Sequence, residues 1–402
     1  MNNKTIRILI HTQYYPPEIG APQNRLSTLA SMLSNNGFQV TVLTAHPNYP
    51  TGKIYPGYGG LFRKEKDGNI EILRSWIYPT KSPSFIPRLF NYFSFILSSL
   101  TAGLFLPRFD YLLTESPPLF LGISGFILST FKHARWIFNV SDLWPESVAE
   151  LGLIDRASRT YRLSSRMEGF FYRKAWLVTG QSQAIIADIH RRYPEVLTYF
   201  LSNGINPELF LEESKPGKPD EVTVVYAGLH GLAQGLDQLI EAALSLRNLD
   251  NIRFCLIGDG PEKQNLISLA EKIQATNVSF HNIVTKLEIP RLLNSADILV
   301  VPLKKQLTGA VPSKLYESMA AAKPVILIAE NEAAGIVNGA GCGIVVKPGD
   351  VQGIVNAIKK LAEDPKTRKQ MGENGYQAVV EKYNYKRIFG EFSDYLRNRA
   401  QA

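Results

Sequence analysis

Short apolar runs recur along the whole chain and alternate with segments whose apolar positions follow the spacing of a helix. Such runs, bounded by turn residues, are typical of buried strands in a parallel sheet. In the first half they predict strands at Ile6–Ile10, Gln39–Leu43, Ile70–Leu73, Tyr111–Thr114, Trp136–Val140, Trp176–Thr179 and Thr198–Leu201. In the second half they predict strands at Val222–Ala227, Ile252–Ile257, Val278–His281, Ile298–Val301, Pro324–Ile328 and Gly343–Val346. Two such series predict an α/β protein with two doubly wound, Rossmann-like domains, whose ligands bind at the carboxyl ends of the strands in the cleft between them.

A polar stretch separates the two series. Residues 212–221, which read EESKPGKPDE, have the composition of a linker because they combine charges with two prolines and a glycine. We therefore place the first domain at residues 1–202 and the second at residues 203–383. A last helix, at about residues 384–402, is expected to pack back on the first domain.

The stretch from Leu299 to Glu330 combines two strands with a helix start between them. Pro312 and Ser313 form a good helix opening, and the helix is expected to run to Ala322. The free amides at a helix N-terminus bind phosphate. Lys314 would add a point charge there, and Glu317, one turn later, could accept hydrogen bonds from two vicinal hydroxyls. A capped surface helix with a Lys/Glu pair is the alternative interpretation.

The loops that follow the first two strands contain further candidates. Gly20 precedes a helix and would let a backbone N–H approach a ligand closely. The loop at residues 46–60 is dense in proline, glycine and tyrosine, and Tyr49, Tyr55 and Tyr58 could stack on sugar rings. The alternatives are an ordinary turn glycine and a surface loop that packs on itself.

Residues 89–106 contain no charged side chain. Polar residues recur within this segment at helical spacing, which predicts a helix with a polar stripe on one face: Asn91, Ser94, Ser98 and Thr101. We expect this helix either to pack in the first domain or to lie in a membrane interface, and a membrane span is less favoured.

A basic stripe and a carboxylate complete the candidates of the first half. Four arginines share one face of a predicted helix and would suit anionic lipid head groups or a lipid-linked pyrophosphate: Arg159, Arg162, Arg166 and Arg173. A solvated helix face is the alternative. Asp142 follows a buried strand, so it is either a site carboxylate or the N-cap of the next helix.

Charge and cysteine content narrow the class of protein. The net charge of the 402 residues is +8, and all of the excess lies in residues 1–200. A one-sided basic half indicates an anionic partner, and nucleic acid is the least favoured because no nucleic-acid-binding motif accompanies it. Cys255 and Cys342 lie in apolar runs, as expected for reduced core residues of a cytosolic protein. The N-terminal apolar run is too short for a signal peptide.

Taken together, the motifs resemble those of the retaining glycosyltransferases of family 4, which have the GT-B fold. The resemblance covers essentially the whole chain and rests on YYPPEIGAPQNR, NGIN, GDGP, SADILVVPL, PSKLYESMAAAKPVI and GAGCGIVVKPGD. HPNYPTGKIYPGY and SDLWPES further resemble a subgroup associated with bacterial surface polysaccharides, which includes transferases of N-acetylated deoxyamino sugars such as N-acetyl-fucosamine. The resemblance implies transfer of a sugar from a UDP-sugar to a lipid-linked saccharide acceptor in O-antigen or capsule biosynthesis.

The resemblance also implies roles for individual residues, with departures. Glu317 matches the second glutamate of the E-x7-E motif, which binds the nucleotide ribose, whereas the position of the first glutamate is Gly309. The family tends to hold the diphosphate with an Arg and a Lys, whose positions here are Leu229 and Gln234. Lys314 is therefore our candidate replacement for the missing cations.

Other positions matched by the motifs complete the expected nucleotide-sugar site. Gly260 and the pair Ile283 and Val284 match segments that line the base site, Gly20 matches the loop that faces the phosphates, and Ser313 and Leu315 fall within PSKLYES. The catalytic candidates are Lys314 and Asp142. No Asp-x-Asp occurs in the sequence, so we expect a metal-independent enzyme without a cofactor, peripheral on the cytoplasmic face of the inner membrane.

Two rival functions share this architecture. A UDP-sugar 2-epimerase would be an isomerase with the same two domains, and it is disfavoured by NGIN, PSKLYESM and the basic, apolar first half. A non-catalytic sugar-nucleotide-binding subunit is suggested by the missing Arg, Lys and Glu. The transferase is the interpretation that we carry forward.

Overall fold

The computed structural model describes residues 5–82, 84–211, 221–304 and 307–401, so the predicted linker at 212–221 lies almost wholly outside the described residues. The chain divides into two compact units. The first comprises residues 1–203 and 385–402, and the second comprises residues 204–384. These bounds lie one residue from those that the sequence analysis places at 202 and 383.

Among its described residues, the first unit contains an eight-stranded sheet in the order β3-β4-β2-β1-β5-β6-β7-β8. Its strands are β1 Arg7–His11, β2 Gln39–Ala45, β3 Phe62–Asp67, β4 Ile70–Ser75, β5 Tyr111–Ser116, β6 Arg135–Val140, β7 Leu177–Gly180 and β8 Thr198–Phe200. All neighbouring strands are parallel except β3 and β4. Its helices are α1 Ala21–Asn35, α2 Phe85–Leu104, α3 Leu121–Lys132, α4 Glu146–Glu150, α5 Arg159–Lys174 and α6 Gln183–Arg192.

The strand β3 is absent from the sequence-based prediction. Its sequence, FRKEKD, has no apolar alternation, and every residue of it is at least partly exposed. It pairs antiparallel with β4 at the edge of the sheet, where charged side chains are tolerated on both faces. The prediction missed it because edge strands of this kind carry no hydrophobic signal.

The second unit is an all-parallel sheet in the order β11-β10-β9-β12-β13-β14 among its described residues. Its strands are β9 Val222–Ala227, β10 Ile252–Ile257, β11 Val278–His281, β12 Ile298–Pro302, β13 Val325–Ile328 and β14 Gly343–Val346. Its helices are α7 Asp237–Ser245, α8 Lys263–Lys272, α9 Ile289–Asn294, α10 Ser313–Ala320, α11 Glu332–Ala340, α12 Val351–Glu363 and α13 Pro365–Ala378. Each unit has apolar clusters that bring its helices and strands together. The predicted class, α/β with two doubly wound units, is confirmed.

The last helix, α14 Tyr385–Gln401, belongs to the first unit. Phe389, Phe392 and Leu396 are fully buried in the same apolar cluster as α1 residues such as Leu29. The hydroxyl of Tyr111 on β5 donates to the carbonyl of Leu396 at 2.7 Å. The chain therefore returns to the first unit to complete its core.

The helix α10 is two residues shorter than predicted. It ends at Ala320, and Ala322 has a φ of 53°, which lies in the left-handed region. An α-helix cannot continue through that conformation, so the chain turns there towards β13.

No helix among the described residues is both long enough and apolar enough to cross a membrane.

Candidate active site

The strand order of the second unit reverses between β9 and β12. These two strands are neighbours, with Val225 opposite Leu299. In open α/β sheets the crevice at such a reversal is the usual place for a ligand, because the connections leave the sheet in opposite directions. The loop after β9 and the loop that leads into α10 both begin at this edge.

The first turn of α10 has backbone amides that no side chain of the described residues caps, although the Leu315 amide donates to the Pro312 carbonyl at 3.0 Å. Pro312 is the N-cap residue, and no side chain caps the helix in the described part of the chain. Leu315 is fully buried and anchors this turn in the core, whereas Ser313 remains partly exposed. Gly309, in the preceding loop, has a φ of 79°, a conformation that favours glycine. This geometry suits an anion.

Lys314 lies against the loop that follows β9. Its Nζ is 5.9 Å from the centre of the Tyr226 ring. A Cβ added to Gly228 would lie 2.1 Å from Lys314 Cε and 2.2 Å from Nζ, so the absence of a side chain at Gly228 makes room for the lysine. The sequence analysis assigns the diphosphate to Lys314, and the structure places its ammonium at the strand reversal.

The charges of two lysines act on Glu317. Burial raises the pKa of Glu317, and the charges of Lys314 and Lys286 oppose that rise. Burial likewise lowers the pKa of both lysines, and the charge of Glu317 opposes it. The two ammonium charges therefore favour the ionised carboxylate, the form that accepts hydrogen bonds from hydroxyls, and burial opposes them.

Sequence reasoning missed Lys286. It lies in the loop between β11 and α9, far from Glu317 in sequence, so no helical spacing connects the two. The only available signal was its position just after Ile283 and Val284, which the family motifs assign to the base site. Ile283 is 72% exposed, while Val284 packs against the core.

The GDGP loop approaches the loop after β9 so closely that two glycines are required. A Cβ on Gly258 would lie 1.9 Å from the carbonyl oxygen of Gly228, and one on Gly260 would lie 2.4 Å from that of His230. Both glycines have a positive φ, of 142° and 157°. The sequence analysis assigned Gly260 to the base site, and the structure shows why glycine is needed there.

Lys263 is a second residue that the sequence analysis missed. Its Nζ donates hydrogen bonds to the carbonyls of Gly258 and His281, at 2.9 and 3.0 Å, and to Oδ1 of Asn282 at 3.1 Å. It therefore ties the loops after β10 and β11 together at the carboxyl edge of the sheet. Only the position of a lysine shortly after GDGP could have indicated this role.

In the first unit, a buried ion pair lies where the strand order reverses between β1 and β5. Nη2 of Arg25 is 2.6 Å from Oε1 of Glu115, and the two side chains are only 2% and 1% exposed. Arg25 also donates to Ser141 Oγ at 2.9 Å, and Asn139 donates to Glu115 Oε2 at 2.5 Å. The sequence analysis did not find this network because its members come from three separate segments: α1, β5 and the end of β6.

Asp142 lies beside this ion pair. Burial and the charge of Glu115 raise its pKa to about 6, and Arg25 opposes the rise. The alternative interpretation, an N-cap, is wrong because the next helix begins at Glu146 and its N-cap is Pro145. A partly buried carboxylate whose pKa is shifted towards neutrality is a candidate for proton transfer.

We expect Asp142→Asn to stabilise the first unit while impairing turnover. The pKa is 3.8 for an ordinary aspartate and about 6 here, so the folded state binds the proton more tightly. The free energy of unfolding therefore falls as the pH rises from near 4 to near 6, by on the order of 2 kcal/mol, and it stays lower above that range. Urea unfolding at both ends of this range, with exposed Asp155→Asn as control, should show a gain for Asp142→Asn only at the higher pH. An equal gain at both would contradict the assignment.

Gly20 is the N-cap residue of α1 and has an extended backbone that any residue can adopt. The nearest atoms to a Cβ there would all belong to the amide group of Gln23, the movable end of a side chain, so glycine is not required by the local fold. The nearby Glu18 is more constrained. Its carboxylate accepts hydrogen bonds from the amides of Asn48 and Tyr49, at 2.7 and 2.8 Å, and joins the loop after β1 to the loop after β2.

The tyrosine-rich loop mostly packs on itself, which was the alternative interpretation. The Tyr55 hydroxyl donates to the carbonyl of Tyr49 at 2.6 Å. The Tyr58 ring lies beneath the guanidinium groups of Arg63 and Arg74, at 5.0 and 5.1 Å. Tyr49 is 48% exposed, so of the three it presents most ring surface to a ligand.

The arginines of the predicted stripe lie on α5 and are all exposed: Arg159, Arg162, Arg166 and Arg173. The last three line a surface pocket of about 320 Å³ together with Tyr161 and Tyr193. In the described part of the chain, none of the four forms an ion pair. The pocket therefore presents uncompensated positive charge.

No group of three or more metal-ligating His, Cys, Asp or Glu side chains occurs among the described residues.

Comparisons with known proteins agree with this description. Sucrose-phosphate synthase from Thermosynechococcus elongatus has a TM-score of 0.77 at 19% identity, and 98% of each chain is covered. Anabaena HepE in complex with UDP-glucose has a TM-score of 0.70 at 16% identity, over 98% of this chain and 100% of that one. At such identities the likeness shows the fold alone.

Family models match both units. Residues 20–204 match the glycosyl transferase 4-like domain, and residues 210–378 match the glycosyl transferases group 1. The chain belongs to the GT-B glycosyltransferases. This GT-B glycosyltransferase is 25% identical over 380 residues to WcaI of Escherichia coli K12, described as a colanic acid biosynthesis glycosyl transferase. That match covers 90% of this chain and 93% of WcaI.

Proposed function

We propose that this glycosyltransferase moves a sugar from a UDP-sugar to a lipid-linked saccharide during O-antigen or capsule assembly. The observation that carries the proposal is the site in the second unit, where Lys314 rests against Gly228 and the charges of Lys314 and Lys286 act on Glu317. This arrangement offers cations and helix amides for a diphosphate and a carboxyl group for a ribose.

Similar proteins support a UDP-sugar donor and a role in polysaccharide biosynthesis. HepE is described in complex with UDP-glucose, and WcaI is named for the biosynthesis of a polysaccharide. The motif resemblance of HPNYPTGKIYPGY and SDLWPES supports an N-acetylated amino or deoxyamino sugar as the group transferred.

In the proposed mechanism, the acceptor hydroxyl attacks the anomeric carbon on the face that the diphosphate leaves, so the configuration is retained. Lys314 and the first amides of α10 take up the charge that grows on the leaving diphosphate. Preorganised electrostatic stabilisation of this kind is usually the largest catalytic effect. Asp142 is the carboxylate that we assign to proton transfer from the acceptor hydroxyl.

Incubation with UDP-sugars, with and without a lipid-linked saccharide, tests the function. We expect UDP release and acceptor glycosylation only when both substrates are present. Isomerisation of the UDP-sugar without acceptor would identify the epimerase instead. Stabilisation by UDP without turnover on any acceptor would identify a binding subunit, since a ligand of the folded state raises the melting temperature by mass action.

We expect EDTA to leave the transfer rate essentially unchanged. Lys314 and the helix amides supply the positive charge that a divalent cation would otherwise bring to the diphosphate. The measurement compares initial rates with EDTA alone, with EDTA and excess magnesium, and with EDTA and excess manganese. Activity that disappears with EDTA and returns with either metal would contradict the proposal.

The proposal places the enzyme on the cytoplasmic face of the inner membrane. The pocket of Arg162, Arg166 and Arg173 supports this location, because uncompensated arginines attract anionic lipids. Apolar residues on the same helix are also exposed, with Leu163 at 61% and Phe170 at 39%. Basic and apolar side chains together are typical of an interfacial helix.

Binding to anionic vesicles is expected at low salt and should weaken as salt is added. Replacing Arg162, Arg166 and Arg173 with glutamine should weaken it on the order of a hundredfold, at about 1 kcal/mol for each charge. The matched control replaces three exposed lysines of the second unit with glutamine: Lys359, Lys360 and Lys366. Vesicle co-sedimentation measures both. Equal weakening, or no vesicle binding by the unmodified protein, would exclude this surface.

A further inference from the structure

The helix α2 has its polar side chains directed towards the protein. The amide of Tyr78 donates to Ser94 Oγ at 2.8 Å, and Asn91 Nδ2 donates to the Tyr78 carbonyl at 2.7 Å. Ser98 donates to the carbonyl of Trp76. Three members of the predicted polar stripe therefore satisfy backbone groups of the segment after β4, and Thr101 is the exception, since it is exposed and donates to the carbonyl of Leu97 at 2.9 Å.

Phe95 and Ile96 of α2 are buried, but a second set of its apolar side chains is left outside. Ile86 is 65% exposed, Phe90 64%, Phe93 41% and Leu97 65%. A soluble surface helix normally buries its apolar face, and contiguous exposed apolar surface marks a binding site. The exposed apolar face of α2 therefore indicates a binding site for an apolar ligand.

The exposed face forms one wall of a groove of about 810 Å³. The other wall comes from the ends of the β3–β4 hairpin, and the two walls carry Leu61, Phe62 and Trp76 opposite Phe90, Phe93 and Leu97. The amide of Trp76 donates to the carbonyl of Leu61 at 3.0 Å, which fixes the hairpin wall. None of the described residues that line the groove is charged.

One end of the groove lies at the carboxyl edge of the sheet. Tyr78, three residues beyond the end of β4, closes that end with its ring 6.4 Å from that of Phe90. Asn91, the next residue of α2, accepts a hydrogen bond from Gln13 Nε2 at 2.9 Å, and Gln13 follows β1. The groove therefore ends beside the loop after β1.

A cation lies at this same end. Arg88 is exposed in the first turns of α2, and its Nε donates to the carbonyl of Ser82 at 3.3 Å. Its charge also reaches the loop after β1: burial raises the pKa of Tyr14, and Arg88 opposes that rise. Arg88 does not line the groove, but it acts on the loop beside which the groove ends, and an apolar groove with a guanidinium near its end matches a hydrocarbon chain that ends in a phosphate.

We propose that this groove binds the hydrocarbon chain of the phosphate-bearing lipid that carries the acceptor saccharide. The phosphate lies beside Arg88, and the saccharide continues along the carboxyl edge of the first unit. The lipid-linked acceptor is part of the proposed function, on which this inference rests. A bilayer would contact the protruding Ile86 as readily as Leu97, whereas a single chain in the groove contacts Leu97 and not Ile86.

The test measures binding of farnesyl phosphate, below its micelle concentration and without sugar nucleotide, by tryptophan emission. Trp76 lines the groove, so Trp76→Phe assigns the signal. Leu97→Asp should weaken binding by at least about tenfold, because a carboxylate in an apolar groove loses its hydration. Ile86→Asp is the matched control on the same helix, with the same exposure of 65%, and should bind normally. Circular dichroism checks folding, and Leu97→Ala replaces Leu97→Asp if the latter does not fold.

Further ligands and outcomes separate the sources of binding. Farnesol should bind more weakly than farnesyl phosphate, and inorganic phosphate should not compete for the chain. Equal weakening by Leu97→Asp and Ile86→Asp would indicate a bilayer surface and overturn the proposal. Absence of binding by the unmodified protein would also overturn it. Because the assay requires no turnover, its result does not depend on whether the proposed transferase function is correct.

Discussion

Lys314→Ala should lower kcat about a hundredfold, since loss of one preorganised charge at a developing anion costs on the order of 3 kcal/mol. In the proposed site the lysine, which lies over Gly228 at the start of α10, would contact the diphosphate. Its charge matters most in the transition state, when the glycosidic bond breaks, so KM for the donor should change less. Steady-state kinetics with saturating donor measure both parameters.

Glu317→Gln is the informative comparison for this prediction. A ribose contact is present equally in the ground and transition states, so its loss should mainly raise the donor KM. Lys347→Ala removes a charge of the same kind from a side chain that is 78% exposed, and it should leave both parameters unchanged. Near-normal kcat for Lys314→Ala would mean that the helix amides or Lys286 carry the charge of the diphosphate instead.

The structure changes which residue could replace Lys314. Arg25 of the first unit is a poor candidate, because its guanidinium is buried in an ion pair with Glu115. Lys286 is the better candidate because its charge already acts on Glu317. Spacing along one helix predicts that Lys314 and Glu317 lie close together. Lys286 lies in another loop, so only the three-dimensional structure shows that it is near Glu317.

The buried parallel strands were predictable because both faces of each strand are covered by helices. β9, for example, has the predicted bounds, Val222–Ala227. The same rule failed for β3, whose side chains face solvent at the sheet edge. It was also insufficient for α2, where periodicity correctly predicts two faces but cannot tell which one faces the protein. Hydrogen bonds to the backbone of Tyr78 set that orientation: its amide donates to Ser94, and its carbonyl accepts from Asn91.

The glycines of the site could be predicted only in part. GDGP indicates a tight loop, but the need for Gly258 and Gly260 comes from their contacts with the backbone after β9. Those contacts depend on β9 and β10 being neighbours in the sheet. Sequence motifs therefore located the candidate site, and the pairing of the strands explains why particular residues are required in it.

Arg25→Met should lower the free energy of unfolding of the first unit by about 3–5 kcal/mol, because it leaves the Glu115 carboxylate buried without its cation. The matched control is Arg387→Met. Arg387 pairs with Glu391 on the surface of α14, where the two side chains are 59% and 58% exposed, so its removal should cost only about 0.3–0.5 kcal/mol. Urea unfolding followed by probes specific to each unit measures the difference, since two units need not unfold together.

A second variant separates the lost cation from lost packing. Arg25→Met combined with Glu115→Gln should recover much of the stability, because the buried charge is then absent. A loss that persists in the double variant would show that packing of the Arg25 side chain dominates.

The Arg25–Glu115 pair also affects the pKa of Asp142. The charge of Glu115 raises this pKa, and the charge of Arg25 lowers it. Arg25→Met should therefore shift the titration of Asp142 upwards, and the double variant should shift it back, since both opposing charges have been removed.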